Sequence, residues 1–420
     1  MRKFLKPMVF VFCILSAGGL QVAVAQNQAT APKPEAVIDQ IKQAVVFLQG
    51  SYTRIQTASV NGVPQQVPVG SALSGTGFLI FEPEARLGPD QGIIYLVTTK
   101  HLIREPGPKG ELGEGPYFKG ISVRTNRKTP SPDGTQFTSD SFPVVDDSGS
   151  LVWFIDPDDD TVDLAIAPIR LSPQAEFKTI PTPLFATREL LEQKGVNEND
   201  EILFAGLFAW YPGAKKNYPI VRHGKLALLS QERIPLDSRH PDKTVEVYLA
   251  DVMSFGGNSG SPVFLRIGGI REALPSATLI GYSYYLLGVM KGFFPEAMPF
   301  ELDGAQLYGQ SAQNSGIAAV VPADKILHIL GSPRVQAYSE RVVAGSYTQN
   351  GNLGAAEKCY EKAISILESS VPEHSDLASA LFDYALLLRK MDRTAEAGQA
   401  EERAKKIMIN VQTDRMHPRS

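Results

Sequence analysis

Cysteine is nearly missing from this chain: Cys13 and Cys359 are the only two among 420 residues. Cys13 lies in a segment expected to be removed, so the mature chain keeps one thiol and no internal disulfide. Its core must then be large enough to hold without crosslinks, and secretion permits disulfides without requiring them. Long apolar runs are also scarce. Past a first run from Met8 to about Leu20, no segment is long and apolar enough to cross a bilayer. Neither sign of charge dominates, with 41 Lys and Arg against 45 Asp and Glu. A formal charge of −4 gives no electrostatic reason to bind nucleic acid. No His-Glu-x-x-His motif occurs, which disfavours a zinc protease. No metal or other cofactor is implied.

What is present starts at the N-terminus. Arg2, Lys3 and Lys6 precede the apolar run, and Ala23-Val24-Ala25 form the small-x-small pattern of a cleavage site. The sequence predicts a signal peptide over 1–25 and a periplasmic or secreted mature chain. The charge then moves from −4 to −7, because three basic residues and no acidic ones leave. The 395 residues that remain of 420 suggest more than one domain.

Residues 26–34 read as a disordered lead, and 35–50 as a short helix passing into a strand. Short β-rich runs follow, among them Gly77–Ile80, Ile93–Thr98, Ile121–Val123, Leu151–Phe154, Ile202–Phe208, Val263–Leu265 and Leu286–Met290. Many short strands between turns predict a sandwich or barrels, and no strand–helix alternation supports an α/β fold. Segments 104–118, 126–150 and 294–316 are rich in turn-forming residues. They are expected to be surface loops that shape a cleft.

After residue 330 the composition changes. Residues 331–350 read as a linker or first helix, 351–410 as a helical domain, and 411–420 as a polar tail. Ala356 and Ala397, Ala363 and Ala404, and Ile366 and Ile407 repeat with a period of 41. Between them Leu377, Ala380, Leu381, Tyr384, Ala385 and Leu388 line one helical face. This pattern resembles tetratricopeptide repeats of the longer-period type, in which stacking buries a shared apolar stripe. One further helix must then come from the segment near 335–348. The resemblance implies a protein partner for the helices; a plain helical cap on the barrels is the alternative.

The chemistry is concentrated in Gly256-Gly257-Asn258-Ser259-Gly260-Ser261-Pro262-Val263-Phe264. A serine hydroxyl is a weak nucleophile until a base activates it and a third group orients that base. His101 directly follows the apolar run ending Leu96-Val97-Thr98-Thr99-Lys100, and Asp163 opens Asp163-Leu164-Ala165-Ile166. Asp156, Asp158, Asp159 and Asp160 compete with Asp163. Asp163 is preferred because it immediately precedes a strand, where burial beside an imidazole is plausible. Lys100 must point outward, or it would disturb the charge on His101. The N–H groups of Gly257 and Ser259 are expected to converge on a developing oxyanion.

The order His, Asp, Ser, with Ser74-Gly75-Thr76-Gly77-Phe78, Leu287-Gly288-Val289 and Asn314 to Pro322, resembles the trypsin-like serine peptidase family. It lies nearer the bacterial periplasmic HtrA/Deg branch than the digestive enzymes, although no PDZ domain follows. The resemblance covers roughly 40–330, within an expected protease domain over 35–330. It implies a mainly β, chymotrypsin-like double β-barrel ahead of the small all-α repeat domain, and hydrolysis of polypeptides through an acyl-enzyme. By the family pattern Met253 lies at the base of the first side-chain pocket, with Val289, Met290 and Lys291 as one wall. Met253 in place of an acid points to small or apolar side chains. A binding module with a protease-like scaffold is the non-enzymatic alternative. An α/β-hydrolase is disfavoured because His101 lies upstream of the serine and Ser261 replaces the second glycine of its elbow.

Overall fold

The computed structural model describes residues 34–60, 63–108, 111–235, 242–268, 282–301, 308–372 and 374–416. The expected signal peptide, all of the expected lead but Pro34, and the last four residues of the tail lie outside the described residues.

Helix α1 (Pro34–Ala44) opens the chain, with Ile41 and Ala44 buried. The first sheet follows: β1 (Val45–Val60), β2 (Val63–Pro83), β3 (Gly92–Thr98), β4 (Gly120–Arg127), β5 (Phe137–Pro143), β6 (Ala165–Pro168), β7 (Ala175–Glu176) and β8 (Ile180–Pro181). Its order is β5-β4-β1-β2-β3-β6, with β7 on β4 and β8 on β2. After α2 (Arg188–Gln193) come β9 (Glu201–Gly206), β10 (Ile220–Leu228), the small pair β11 (Ile234–Pro235) and β12 (Thr244–Val245), then β13 (Tyr248–Asp251), β14 (Pro262–Gly268), β15 (Tyr282–Glu301) and β16 (Tyr308–Pro322). Six of these close a barrel in the order β10-β13-β16-β15-β14-β9. The protein is thus mainly β, a half-barrel followed by a closed barrel.

The half-barrel is open between its edge strands β5 and β6, and the described chain joining them forms no ladder. Leu151–Phe154, expected as a strand, makes only the isolated bridges Val145↔Leu151 and Phe154↔Ile166. Trp153 is buried there, its indole N–H donating to the Pro143 carbonyl at 3.1 Å. Two expected loops contain strands. Strand β5 lies inside 126–150, and the β15–β16 ladder runs out through 294–316 to Glu301↔Tyr308. Backbone pairing carries a hairpin extension of this kind, and composition does not report it.

Five helices complete the described chain: α3 (Ala323–Leu330), α4 (Pro333–Gln349), α5 (Leu353–Ser370), α6 (Ser375–Lys390) and α7 (Thr394–Met416). Residues 333–349 are therefore a full helix. Pro333 stands in its first turn, where the missing N–H costs nothing. Gly351, at φ +77°, turns the chain out of α4, and Asn352 caps α5 by accepting from the Ala355 N–H. Ala363 and Ala404, the alanines at period 41, share one buried cluster with Leu367, Leu377 and Leu381. Small side chains at these crossings let the helices approach closely.

One core cluster crosses between the two sheets and continues into the helices. It joins Phe78 and Val97 to Leu203 and Val289, then to Ile326, Ile329 and Val335. Each such buried aliphatic or aromatic side chain contributes about 1.5–3 kcal/mol relative to exposure. Arg334 makes the seam specific. It donates to the Leu151 and Trp153 carbonyls, pairs with Asp376 at 2.7 Å and lies over the Phe154 ring.

Candidate active site

The loop that carries Ser259 sits where the half-barrel meets the closed barrel. Thr76 on β2 fastens it in two ways. Its backbone N–H donates to the Ser259 carbonyl at 2.9 Å, and its hydroxyl donates to the Gly257 carbonyl at 2.7 Å. The same hydroxyl accepts from the Leu207 N–H at 2.9 Å. Asn258 is buried and structural: its amide donates to the Leu207 carbonyl and its side-chain oxygen accepts from the Phe255 N–H. Gly257 and Gly260 take φ of +96° and +83°, a region costly for any residue with a Cβ. A Cβ on Gly260 would lie 1.9 Å from the Thr76 carbonyl oxygen. Among the described residues, the N–H groups of Gly257 and Ser259 donate to no protein acceptor.

His101 follows β3 in a short helical turn and is buried. Its Nδ1 lies 2.7 Å from Asp163 Oδ2, and its backbone N–H donates to Asp163 Oδ1 at 2.9 Å. Two contacts from one residue hold the carboxylate in a single orientation toward the ring. Burial works against the charge on Asp163. Its electrostatic interactions with His101 and with the Lys291 ammonium, and the hydrogen bonds from His101, outweigh it and hold the carboxyl well below the usual carboxylate range.

The competing aspartates go elsewhere. Asp156 accepts from the N–H groups of Asp158 and Asp159. Asp158 meets His328 at 2.9 Å, and Asp159 pairs with Arg233 at 2.6 Å. Asp160 takes Lys100 at 2.8 Å, and the largely covered Lys100 side chain lines the same hollow as His101.

Ser259 is brought to the same region but does not bond to His101. Its hydroxyl donates to the Lys291 carbonyl at 2.9 Å, while the buried His101 Nε2 has no partner. The Lys291 ammonium donates to Asp163 Oδ2 at 3.1 Å. A hollow of about 500 Å³ opens beside Asp163 and Lys291, with Leu112, Gly113 and Glu114 from the 104–118 loop on one side and Phe293 and Phe294 on another. Ser259 does not line it.

The residues expected to form a pocket are divided. Met253 is half exposed, and a Cβ on Gly316 of β16 would lie 3.9 Å from its sulfur. Val289 is fully buried in the core that crosses between the sheets, and Met290 in the core of the closed barrel. Only their backbone is available to a wall, and Lys291 turns its side chain to Asp163. Sequence reasoning picked out the segment around Thr76 without its role in the loop. The Lys291–Asp163 contact left no signal in the sequence at all.

Residues 335–410 match the tetratricopeptide repeat family model. No curated protein matches the chain. Among solved structures, a thermostable serine protease, AL20, from an extremophilic microorganism is similar over 58% of this chain and 91% of its own. The identity is 11% and the TM-score 0.27. The Grass clip serine protease of the Drosophila Toll pathway is similar over 66% of each chain, at 15% identity and a TM-score of 0.30.

Proposed function

We propose that this chain is a serine endopeptidase acting outside the cytoplasm, with Ser259 as nucleophile, His101 as base and Asp163 as the group that orients it. The observation that carries the reading is the buried Nδ1···Oδ2 contact of 2.7 Å between His101 and Asp163, which leaves Nε2 without a partner. Rotation of the Ser259 side chain away from the Lys291 carbonyl would offer its proton to that nitrogen. The oxygen then attacks the scissile carbonyl, and the developing charge falls to the Gly257 and Ser259 N–H groups. His101 returns the proton to the leaving amine, and water cleaves the acyl-enzyme by the same route. Met253 beside Gly316 suits a small or apolar side chain before the cut. The repeat helices would hold a protein partner.

A fluorophosphonate probe tests this. The wild-type chain is expected to be labelled, with labelling lost in Ser259→Ala at an unchanged melting temperature. A folded wild-type chain that is never labelled, and never cleaves an unfolded protein, would leave the scaffold as a binding module and end the enzyme reading.

A further inference from the structure

Lys291 occupies an irregular place in its strand. The β15–β16 register shifts between Met290 and Gly292, so Lys291 is the extra residue of a β-bulge. A bulge re-aims the side chain it carries. Val289 and Met290, immediately before it, are anchored in the cores, whereas Lys291 leaves the barrel and reaches Asp163. Its backbone meanwhile accepts the Ser259 hydroxyl. One residue thus touches the serine through its carbonyl and the aspartate through its ammonium.

The contact has an electrostatic consequence. Asp163 Oδ2 receives two donors, His101 Nδ1 at 2.7 Å and Lys291 Nζ at 3.1 Å. The carboxylate is almost fully buried, where charges act on each other more strongly than in water. A carboxylate already neutralised by an ammonium stabilises an imidazolium less. Other charged groups also line this hollow. Lys100 pairs with Asp160, and Arg104 donates to the Gly115 carbonyl and lies over Tyr117. Glu114 and Lys243 line it as well. Among the described residues, Lys291 is the one lysine or arginine bonded to Asp163.

We propose that Lys291 is a positioning residue of this centre: its ammonium shares Asp163 Oδ2 with His101 and weakens the hold of Asp163 on a protonated imidazole, so the serine stays activated at lower pH. The consequence for activity rests on the peptidase reading above; the coupling between the three side chains does not.

The test uses the full chain as wild type, Lys291→Met, Lys291→Gln and Lys291→Arg, each checked for an unchanged melting transition. Histidine NMR follows the titration of His101, assigned by the signal lost in His101→Gln. Fluorophosphonate labelling rates are followed over the same pH range. Lys291→Met and Lys291→Gln should move both midpoints to higher pH by about one unit, and Lys291→Arg should restore them. A His101 titration in Lys291→Met and Lys291→Gln that coincides with the wild type overturns the proposal, whatever the labelling does. A titration that moves in a chain never labelled upholds the coupling and removes the peptidase reading instead.

Discussion

The Thr76 hydroxyl donates to the Gly257 carbonyl at 2.7 Å, across 181 residues of sequence, and accepts from the Leu207 N–H as well. A single buried side chain from the half-barrel therefore supports both the loop that carries Ser259 and the end of β9. Replacing it with valine keeps the volume and removes both bonds. Thr76→Val should lose about 2 kcal/mol of stability, because a buried carbonyl and a buried N–H are left unsatisfied. It should also slow probe labelling of Ser259, whereas Thr76→Ser retains most of both. Thermal melts and labelling rates read the two effects separately.

Gly260 meets the same threonine from the other side. Its positive φ and the approach of the Thr76 carbonyl leave no room for a methyl group. Gly260→Ala should cost upwards of about 1 kcal/mol from backbone strain alone, plus the displacement of β2. Gly398, on α7, has open space around it and serves as the control. Gly398→Ala should leave the melting temperature unchanged or slightly raised, since alanine favours a helix.

The seam between sheet and helices depends on Arg334. Arg334→Met keeps much of the apolar stem but abandons Asp376 and two backbone carbonyls. A loss of about 1–3 kcal/mol is expected. Limited proteolysis should then cut near Gly331 and Ser332 sooner than in the wild type. Equal cleavage rates would show that the shared core alone holds the helices in place.

Acid should loosen the same seam through a second cluster. Glu84 is hydrogen-bonded by Arg86, which holds its carboxyl down to about 2 from an ordinary 4.5, and Arg86 also reaches Glu340 of α4 at 2.7 Å. A carboxyl depressed by folding stabilises the protein fully above its unfolded value. That contribution is lost as pH falls through the folded one. The stability gap between wild type and Glu84→Gln should thus be full above about pH 4.5 and shrink toward pH 2. Melts across that range check it. A gap that stays constant would mean Glu84 is not held by Arg86 in solution.

Much of the fold could be read ahead of the coordinates, and the reasons differ by element. Strands β3 and β14 are short apolar runs bounded by turn residues, so local composition suffices. The alanines at period 41 announce helix crossings, because only a small side chain allows them. The outer parts of the long hairpins were hidden, since backbone pairing there needs no apolar alternation. Helix α4 was legible only through the repeat period, which called for one more helix near 335–348. Its own Gln, Ser, Glu and Arg content resembles a linker, and its buried Val335, Ala337, Val343 and Ala344 are divided among three core clusters.

By itself the amino-acid order determined which side chains were chemically suited to a shared centre: a serine among glycines, a histidine after a core strand, an aspartate before another. Glycine spacing and strand ends are local properties, and they survive without knowledge of the partner. Only the tertiary structure decided that Asp163, not its four neighbours, meets His101, and that a bulge in β15 adds Lys291 to the same carboxylate. Those contacts join residues 62 and 128 positions apart. They depend on how two sheets pack and on one shift of register, neither of which any short stretch of chain encodes.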